Sequence, residues 1–366
     1  MLTRDHTDAA AELATVGPAD GAAHPAAAES GHGAGSPAPA AASSARRRWG
    51  RHHAGYRANR IMLWLGVTFL PLGYFVIALA VPLFALDGKV RRASRAFCRK
   101  LYPDASPWRQ TLFSLGHIYR FGTLLLDRAV ALAGNGERFI FERSGMEHLR
   151  ALAPAPQGIV IFTAHFGCAE ITAPLLNNLN LGRKINVVMF QDLSDATEQF
   201  HQRHRTALSH INLISTTDPM AAGLKVIAAL RRNEVVAIRA DRSLTGRTLG
   251  VSFFNQTVHL PAGPFIAAVA ADAKPVTLYA IRLKYRHYRC VVAPLAVSPD
   301  ENPAAQAASL AQQYATQLES LVRQYPRQWA NFYDFWATEP VAAAPGSTSA
   351  STSSQTSVGP PSAGAS

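Results

Sequence analysis

Short apolar runs alternate with amphipathic stretches through residues 158–325 of the chain. Five of the runs have the length and the branched apolar content of buried strands. They are residues 159–162, 186–190, 212–215, 235–240 and 275–283. The stretches between them carry apolar residues at helical spacing, and they cover 168–179, 196–209, 220–232 and 262–272. Strands that alternate with helices in this way predict an α/β fold with a mainly parallel, mixed sheet flanked by helices.

Other elements are predicted around this core. Two runs, 250–260 and 289–297, are typical of a hairpin or of antiparallel edge strands. Residues 91–149 have the pattern of helices with basic and apolar faces, and a last helix is predicted from about Pro303 to Tyr325, ending before Pro326.

One segment, Ile61 to Leu86, contains no charged residue and is long enough to cross a bilayer. It begins too late for a signal peptide and lacks a small-residue cleavage site, so we expect membrane attachment. Pro71 and Pro82 leave open a kinked span or a re-entrant segment. Basic residues flank both ends, so the positive-inside rule gives no orientation. The alternative is a buried helix of a soluble protein.

Composition divides the chain further. Residues 1–45 and 338–366 are rich in Ala, Gly, Pro and Ser, and we predict that both are disordered. Between them we predict a basic and apolar membrane-associated segment at 46–100 and a catalytic domain at 101–337. The net charge of +12 indicates an anionic partner, and no nucleic-acid-binding motif is present. Three scattered cysteines favour a reduced, cytoplasm-facing domain over a disulfide framework.

The first predicted strand ends directly before a group of residues with catalytic potential. Its sequence is GIVIFTAHFGCAE, residues 158–170, and it places His165 between a strand and a helix. Ligands of open α/β sheets bind at this edge. A histidine titrates near neutral pH and can act as a base, and a carboxylate such as that of Glu170 can orient its ring. A buried histidine beside a helix-start glutamate is the alternative interpretation.

The stretch AHFGCAE resembles the His-x4-acidic motif of the lysophospholipid acyltransferase superfamily. It is most similar to the lipid A late acyltransferases and to the acyltransferases of aryl-polyene pigment pathways. A second block supports the resemblance, with Asp241-Arg242, Gly246, Phe253-Phe254 and Pro261 to Pro264 in the family's order. Asn255 replaces the usual glycine, and Leu260 replaces the usual Thr or Phe, which puts fine acceptor contacts in doubt. The string PRQWANFYDFW at 326–336 resembles the end of the pigment-pathway branch, and Leu126-Asp127-Arg128 resembles a stretch before its catalytic strand.

The resemblance implies a membrane-associated O-acyltransferase. It would move a fatty acyl chain from an acyl carrier protein, or from coenzyme A, to a hydroxyl of a lipid acceptor. His165 is then the base and Glu170 its orienting partner. We assign substrate binding to Gly167, Arg239, Asp241 and Arg242, because arginines suit phosphate geometry and the amides that follow Gly167 suit an oxyanion.

Neither a metal nor a redox cofactor is implied. The basic surface suits an acidic carrier protein and an anionic inner-leaflet surface, so we expect a bacterial inner-membrane protein with its catalytic domain on the cytoplasmic side. The acceptor stays open among a lipid A precursor, a lysophospholipid and an aryl-polyene lipid, and the string at 326–336 favours the last.

Other functions are possible from the sequence. A membrane adaptor that binds carrier protein or anionic lipid would not need both His165 and Glu170, and a lipid hydrolase would use water as the acceptor. No Gly-x-Ser-x-Gly elbow is present, which argues against a serine esterase. Cys168 is a weaker candidate for an acyl intermediate. A zinc site would need His165, Cys168 and Glu170 together with His201 or His204.

Overall fold

A computed structural model describes residues 39–172, 181–189, 211–242 and 246–336. Residues 1–38 and 337–366, which contain most of the two predicted tails, lie outside these ranges. The predicted helix at 196–209 also lies outside them, as does most of the helix predicted at 168–179. The first described helix begins at Pro39, within the predicted N-terminal tail.

Nine strands form two sheets in the described part of the chain. In chain order they are β1 (Ile140–Ser144), β2 (Ile159–Thr163), β3 (Ile185–Met189), β4 (Ile211–Ser215), β5 (Val235–Arg239), β6 (Thr248–Phe253), β7 (Gln256–Pro261), β8 (Lys274–Lys284) and β9 (His287–Pro294). The main sheet has the strand order β1-β9-β8-β2-β5-β3-β4, and β6 and β7 form a separate hairpin. All neighbours in the main sheet are parallel except β8 and β9. The predicted α/β class with a mainly parallel sheet is confirmed.

Helices cover both faces of the main sheet. They are α1 (Pro39–Ala85), α2 (Gly88–Leu101), α3 (Pro107–Val130), α4 (Met146–Leu152), α5 (Pro219–Arg231), α6 (Ala262–Ala270) and α7 (Pro303–Gln324). All five side chains of β2 are buried, and its four apolar residues alternate between two apolar clusters. Val160 and Phe162 pack with residues of α5, α6 and α7, whereas Ile159 and Ile161 pack on the side of α1, α3 and α4. The continuous apolar pattern of β2 follows from burial on both faces.

The uncharged segment forms the second part of α1. Phe69 has non-helical backbone angles two residues before Pro71, which lacks the N–H that an uninterrupted helix would use. Residues Ile61–Phe84 are long and apolar enough to cross a membrane, and only 22% of their most apolar window is buried in the protein. Large apolar side chains such as Trp64, Phe75 and Leu83 are therefore exposed.

The other side of this helix packs closely on α3. A Cβ atom added at Gly66 or Gly73 would lie 2.7 Å or 2.6 Å from the side chain of Leu126, so both glycines permit the close approach. Tyr74 donates a hydrogen bond to Asp127 of α3, whose other carboxylate oxygen accepts from Tyr288 of β9. Polar contacts thus connect the apolar helix to α3 and, through Asp127, to β9 of the main sheet.

The sequence predictions missed one strand and misplaced another. Residues 140–144 were expected to be helical but form β1. Three of the five are polar, so the sequence lacks the apolar pattern of a buried strand. The strand forms because its backbone pairs with β9. β9 is antiparallel to β8 as predicted, but it is not an edge strand, since β1 pairs with its other side. The hairpin predicted at 250–260 is confirmed as β6 and β7.

Candidate active site

His165 and Asp241 meet because they follow neighbouring strands. Thr163, the last residue of β2, pairs in register with Arg239, the last residue of β5. The polypeptide continues for two residues beyond the end of each strand, to His165 after β2 and to Asp241 after β5. The ring Nδ1 of His165 lies 2.8 Å from Oδ1 of Asp241, and the backbone N–H of His165 donates to Oδ2 at 3.0 Å. Asp241 therefore holds both the ring and the backbone of His165.

This contact determines how the imidazole can act. An ionised carboxylate only accepts hydrogen bonds, so the neutral ring carries its proton on Nδ1 and has a lone pair on Nε2. No described residue forms a hydrogen bond with Nε2. The His165 side chain is 28% exposed, against 1% for Asp241. The arrangement is that of a base whose reactive nitrogen can reach a substrate.

The charges around the pair favour a neutral imidazole. Burial lowers the pKa of His165 below its ordinary value, Asp241 acts in the opposite direction, and Arg239 and Arg242 lower it further. Burial alone would raise the pKa of Asp241, but His165 and Arg242 hold it well below its usual range. At neutral pH the site consequently contains an ionised aspartate and an uncharged histidine.

Glu170 has different partners from those predicted. Its carboxylate forms ion pairs with Arg239 and with Nε of Arg128, the latter at 3.1 Å. Burial raises the pKa of Glu170, but these two arginines more than offset it and hold the pKa well below its usual range. The prediction that Glu170 orients His165 is wrong, because Asp241 occupies the position at Nδ1.

The backbone explains why the spacing was misleading. Glu170 would face His165 only if the chain turned regularly between them. Instead Gly167 has φ +63°, and a short 3-10 helix follows at Ala169–Thr172. The left-handed residue directs the chain against β8, where a Cβ atom at Gly167 would lie 1.9 Å from the carbonyl oxygen of Ala280. Only glycine fits this approach.

The amides at this turn are already used within the protein. The N–H of Gly167 donates to the carbonyl of Gln328 at 2.9 Å, and the N–H of Cys168 donates to the carbonyl of Ala280 at 3.0 Å. The amides of Gly167 and Cys168 are therefore not free to hold an oxyanion in this structure, and an oxyanion contact with the amides beyond Cys168 stays a prediction. The hydrogen bonds of Gly167 and Cys168 position the loop that carries His165.

The two arginines predicted to hold anions also have internal partners. Arg239 pairs with Glu170, as described above. Arg242 donates to the carbonyl of Ala330, and its guanidinium lies 5.2 Å from the ring centroid of Tyr333. The structure thus gives both residues a role in holding the site together, and their predicted contact with a substrate phosphate stays a prediction.

The sequence predictions assigned no role to the residue that completes the site. Trp329 is buried, and its indole Nε1–H donates to Oδ2 of Asp241 at 3.2 Å. Its neighbour Ala330 donates to the carbonyl of His165 at 2.7 Å, so residues 329–330 run antiparallel to the His165 loop. The signal in the sequence was the aromatic string at 326–336, for which the sequence analysis gave a resemblance but no role for Trp329.

A buried histidine supports Trp329 from the opposite side. The Nε2 atom of His117 lies 2.7 Å from the carbonyl oxygen of Trp329, and its Nδ1 atom lies 3.0 Å from the hydroxyl of Ser94. Because a carbonyl only accepts, Nε2 carries the proton and the Ser94 hydroxyl donates to Nδ1. Burial lowers the pKa of His117 to about 4, so this histidine stays neutral and structural at neutral pH.

The structure does not favour the other two predictions from the sequence, a cysteine nucleophile and a zinc site. Cys168 is buried, and burial together with the Glu170 charge raises the pKa of its thiol well above the usual value, which disfavours a thiolate nucleophile. Within residues 39–172, 181–189, 211–242 and 246–336, no three His, Cys, Asp or Glu side chains cluster as metal ligands. His201 and His204 lie outside those ranges.

A small apolar cavity borders the Glu170–Arg239 ion pair. Its volume is about 70 Å³, and its walls come mainly from β2, β3 and β5. Ile161, Val187 and Ala237 give it an apolar lining directly beneath the edge where His165 lies. The neighbourhood of the base therefore combines one ionisable pair with an apolar surface.

The fold and this site define an α/β protein in which a buried aspartate orients a partly exposed histidine at the edge of the sheet. The family model for bacterial lipid A biosynthesis acyltransferases matches residues 135–338, which is more than half of the chain. The chain belongs to this family, and it is an acyltransferase of lipid substrates. His165, Glu170, Asp241 and Trp329 all fall within the matched residues. No curated protein sequence matches the chain.

Proposed function

We propose that this protein is a membrane-associated O-acyltransferase that moves a fatty acyl chain from a carrier-bound thioester to a hydroxyl of a lipid acceptor. The observation that carries the proposal is the hydrogen bond between Nδ1 of His165 and Asp241, which leaves Nε2 of the ring as a base. Membership of a lipid acyltransferase family supplies the class of reaction.

The proposed reaction uses the two sides of the imidazole in turn. Nε2 of His165 removes the proton from the acceptor hydroxyl as its oxygen attacks the thioester carbonyl. The Asp241 carboxylate stabilises the imidazolium that forms, and its three hydrogen bonds keep it ionised. When the tetrahedral intermediate collapses, the C–S bond breaks and the imidazolium returns the proton to the departing thiolate. The products are an ester and a free thiol.

Three features support membrane association and the proposed partners. The exposed apolar face of Ile61–Phe84 suits a bilayer, and the small apolar cavity beside the site suits part of an acyl chain. The net charge of +12 suits an acidic carrier protein and anionic lipids, and we propose acyl carrier protein as the donor. The proposed location is a bacterial inner membrane, with the catalytic domain on the cytoplasmic side.

The acceptor is proposed only as a class. A lipid with a free hydroxyl fits the family, and a lipid A precursor is the acceptor that the family's description suggests. The narrower proposal of an aryl-polyene lipid rests on the resemblance of the string at 326–336 to the pigment-pathway branch. Both acceptors can be supplied together in a total lipid extract, so one experiment distinguishes them.

The experiment compares detergent-solubilised membranes that contain the wild type, His165→Ala, Asp241→Asn or matched controls. His259→Ala and Asp300→Asn are the controls, because both residues are exposed and outside the site. Acyl carrier protein and coenzyme A, each carrying a labelled acyl chain, serve as alternative donors. We expect label in a lipid with the wild type and both controls, and a loss on the order of a hundredfold or more with each site variant.

Other results would contradict the proposal in identifiable ways. Equal transfer by His165→Ala and the wild type would make His165 a structural residue. Label released as free fatty acid, with none in lipid, would favour a hydrolase. Donor left unconsumed by the folded wild type would favour a binding protein.

A further inference from the structure

The structure contains a second and larger cavity, which we call the arginine cavity. Its volume is about 870 Å³, and it opens between α2, α3 and the segment that follows α7. Four arginines line it, and the acidic residue among the described lining is Asp104. The arginines are Arg109, Arg120, Arg282 and Arg327. None of His165, Arg239, Asp241 or Arg242 contributes to the walls.

Arg282 is the most buried of the four arginines. Its side chain is 5% exposed, and within the described residues its Nη1 atom has no hydrogen-bond acceptor. The nearest carboxylate oxygen, Oδ2 of Asp127, is 3.6 Å from Nη1, and both Asp127 oxygens already accept from tyrosine hydroxyls. This guanidinium is therefore only partly paired within the protein, and its positive charge lies in the wall of the cavity.

Arg120 adds a second positive charge close to the first. Burial lowers the pKa of Arg120, and the charge of Arg282 lowers it further. No aspartate or glutamate in the described part of the chain forms an ion pair with Arg120, Arg109 or Arg327. Asp127 is the buried carboxylate that faces the Arg120–Arg282 pair. The cavity therefore has an excess of positive charge that the described residues do not neutralise.

The fourth arginine is directed to the cavity by packing. The guanidinium of Arg327 lies 5.7 Å from the ring centroid of Phe113, and a Cβ atom at position 116 would lie 2.9 Å from Cζ of Arg327. Gly116 thus leaves the space that Arg327 occupies. Guanidinium groups on several sides of one cavity match the oxygen atoms of a phosphate group.

We propose that the arginine cavity is a binding site for an anionic group of the phosphate class. Its volume accommodates a single phosphate, a diphosphate or a glycerophosphate headgroup. The group could belong to a soluble phosphate compound or to a phospholipid, since Tyr74 of the apolar helix lies against Arg282, with its ring centroid 4.6 Å from the guanidinium. The proposal concerns binding and does not depend on acyl transfer.

The test uses the full-length protein purified in an uncharged detergent, with binding measured by calorimetry at constant ionic strength. Inorganic phosphate is the soluble probe, and dioctanoyl phosphatidic acid in mixed micelles is the lipid probe. Dioctanoylglycerol is the matched lipid without a phosphate. Arg120→Gln and Arg327→Gln remove one charge each without breaking an ion pair, and Arg150→Gln, an exposed residue of α4, is the control with the same change of charge.

We expect each cavity variant to weaken binding of the phosphate-bearing probe about tenfold or more, and Arg150→Gln to change it less than about twofold. Binding of both probes would identify an open phosphate site, and binding of phosphatidic acid alone would identify a lipid headgroup site. Either result supports the proposal. Absence of binding by the folded wild type, or equal loss in Arg150→Gln and the cavity variants, would overturn it.

Discussion

The indole of Trp329 donates a hydrogen bond to the carboxylate of Asp241 at 3.2 Å, across 88 residues of sequence. The same carboxylate oxygen accepts from the backbone of His165. Trp329 therefore contacts the residue that orients the proposed base, and it belongs to the segment that also binds the carbonyl of His165. The C-terminal aromatic string is part of the framework of the site.

Trp329→Phe tests this relationship. Losing the indole N–H leaves one acceptor site of a buried carboxylate unused, at a cost of about 1–3 kcal/mol of folding stability. It also loosens the position of Asp241 and with it that of the imidazole, so we expect kcat to fall about tenfold. The carboxylate charge is then less compensated and stabilises the imidazolium more, which raises the pKa of His165. The acid limb of the pH–rate profile should move to higher pH. The measurement is kcat and kcat/KM as functions of pH.

Trp336→Phe is the matched control for this substitution. Trp336 belongs to the same aromatic cluster, and among the described residues its indole N–H has no hydrogen-bond partner. The control should keep the wild-type pH profile. If Trp329→Phe and Trp336→Phe behave alike, the effect comes from packing and the proposed positioning role is wrong.

Asp241→Asn should shift the pH–rate profile to lower pH, in the opposite direction to Trp329→Phe. The wild-type acid limb should lie below about pH 6.5, the ordinary pKa of histidine, because burial lowers the pKa of His165. Asp241 raises this pKa, so replacing it with a neutral amide should move the limb to still lower pH. The plateau should fall on the order of a hundredfold to ten-thousandfold, since the amide no longer stabilises the imidazolium. An unchanged plateau would show that Asp241 does not act on the base.

The sequence predicted the sheet, and it placed His165 correctly at the end of a buried strand. It could not predict that β2 and β5 are neighbours, because strand order depends on packing between distant segments. That adjacency brings Asp241 to His165, and the site prediction had assigned Asp241 to the substrate. The partner expected from spacing, Glu170, was wrong because the left-handed turn at Gly167 breaks the regular geometry on which the spacing argument relied.

Glu170→Gln should affect stability more than the pH–rate profile. The pKa of Glu170 is depressed in the folded state, so its ion pairs stabilise the protein above the unfolded pKa of about 4.3, and this contribution is lost as the pH falls below that value. Removing the carboxylate leaves Arg128 and Arg239 without their common partner, and we expect a clear fall in Tm at pH 7.

The difference in Tm between the wild type and Glu170→Gln should shrink as the pH falls through the acid range. Thermal unfolding in detergent from pH 7 to pH 3 measures it. A substitution that removes activity at an unchanged Tm would instead place Glu170 in the chemistry.

Gly167→Ala tests whether the His165 loop depends on the close approach to β8. The φ of +63° disfavours any residue with a Cβ atom, and that atom would lie 1.9 Å from the carbonyl oxygen of Ala280. The loop must move to relieve the overlap, which breaks the hydrogen bonds of the Gly167 and Cys168 amides. We expect a loss of several degrees in Tm together with a large loss of kcat, because His165 lies two residues away.

Gly223→Ala is the control for this substitution. Gly223 lies inside α5, and no atom lies within 4 Å of its built Cβ position. The alanine should therefore stabilise the helix by about 0.5–1 kcal/mol and leave kcat unchanged. A Gly167→Ala protein with wild-type kcat and Tm would mean that the loop tolerates a different path. The contact with Ala280 would then have no part in positioning the base.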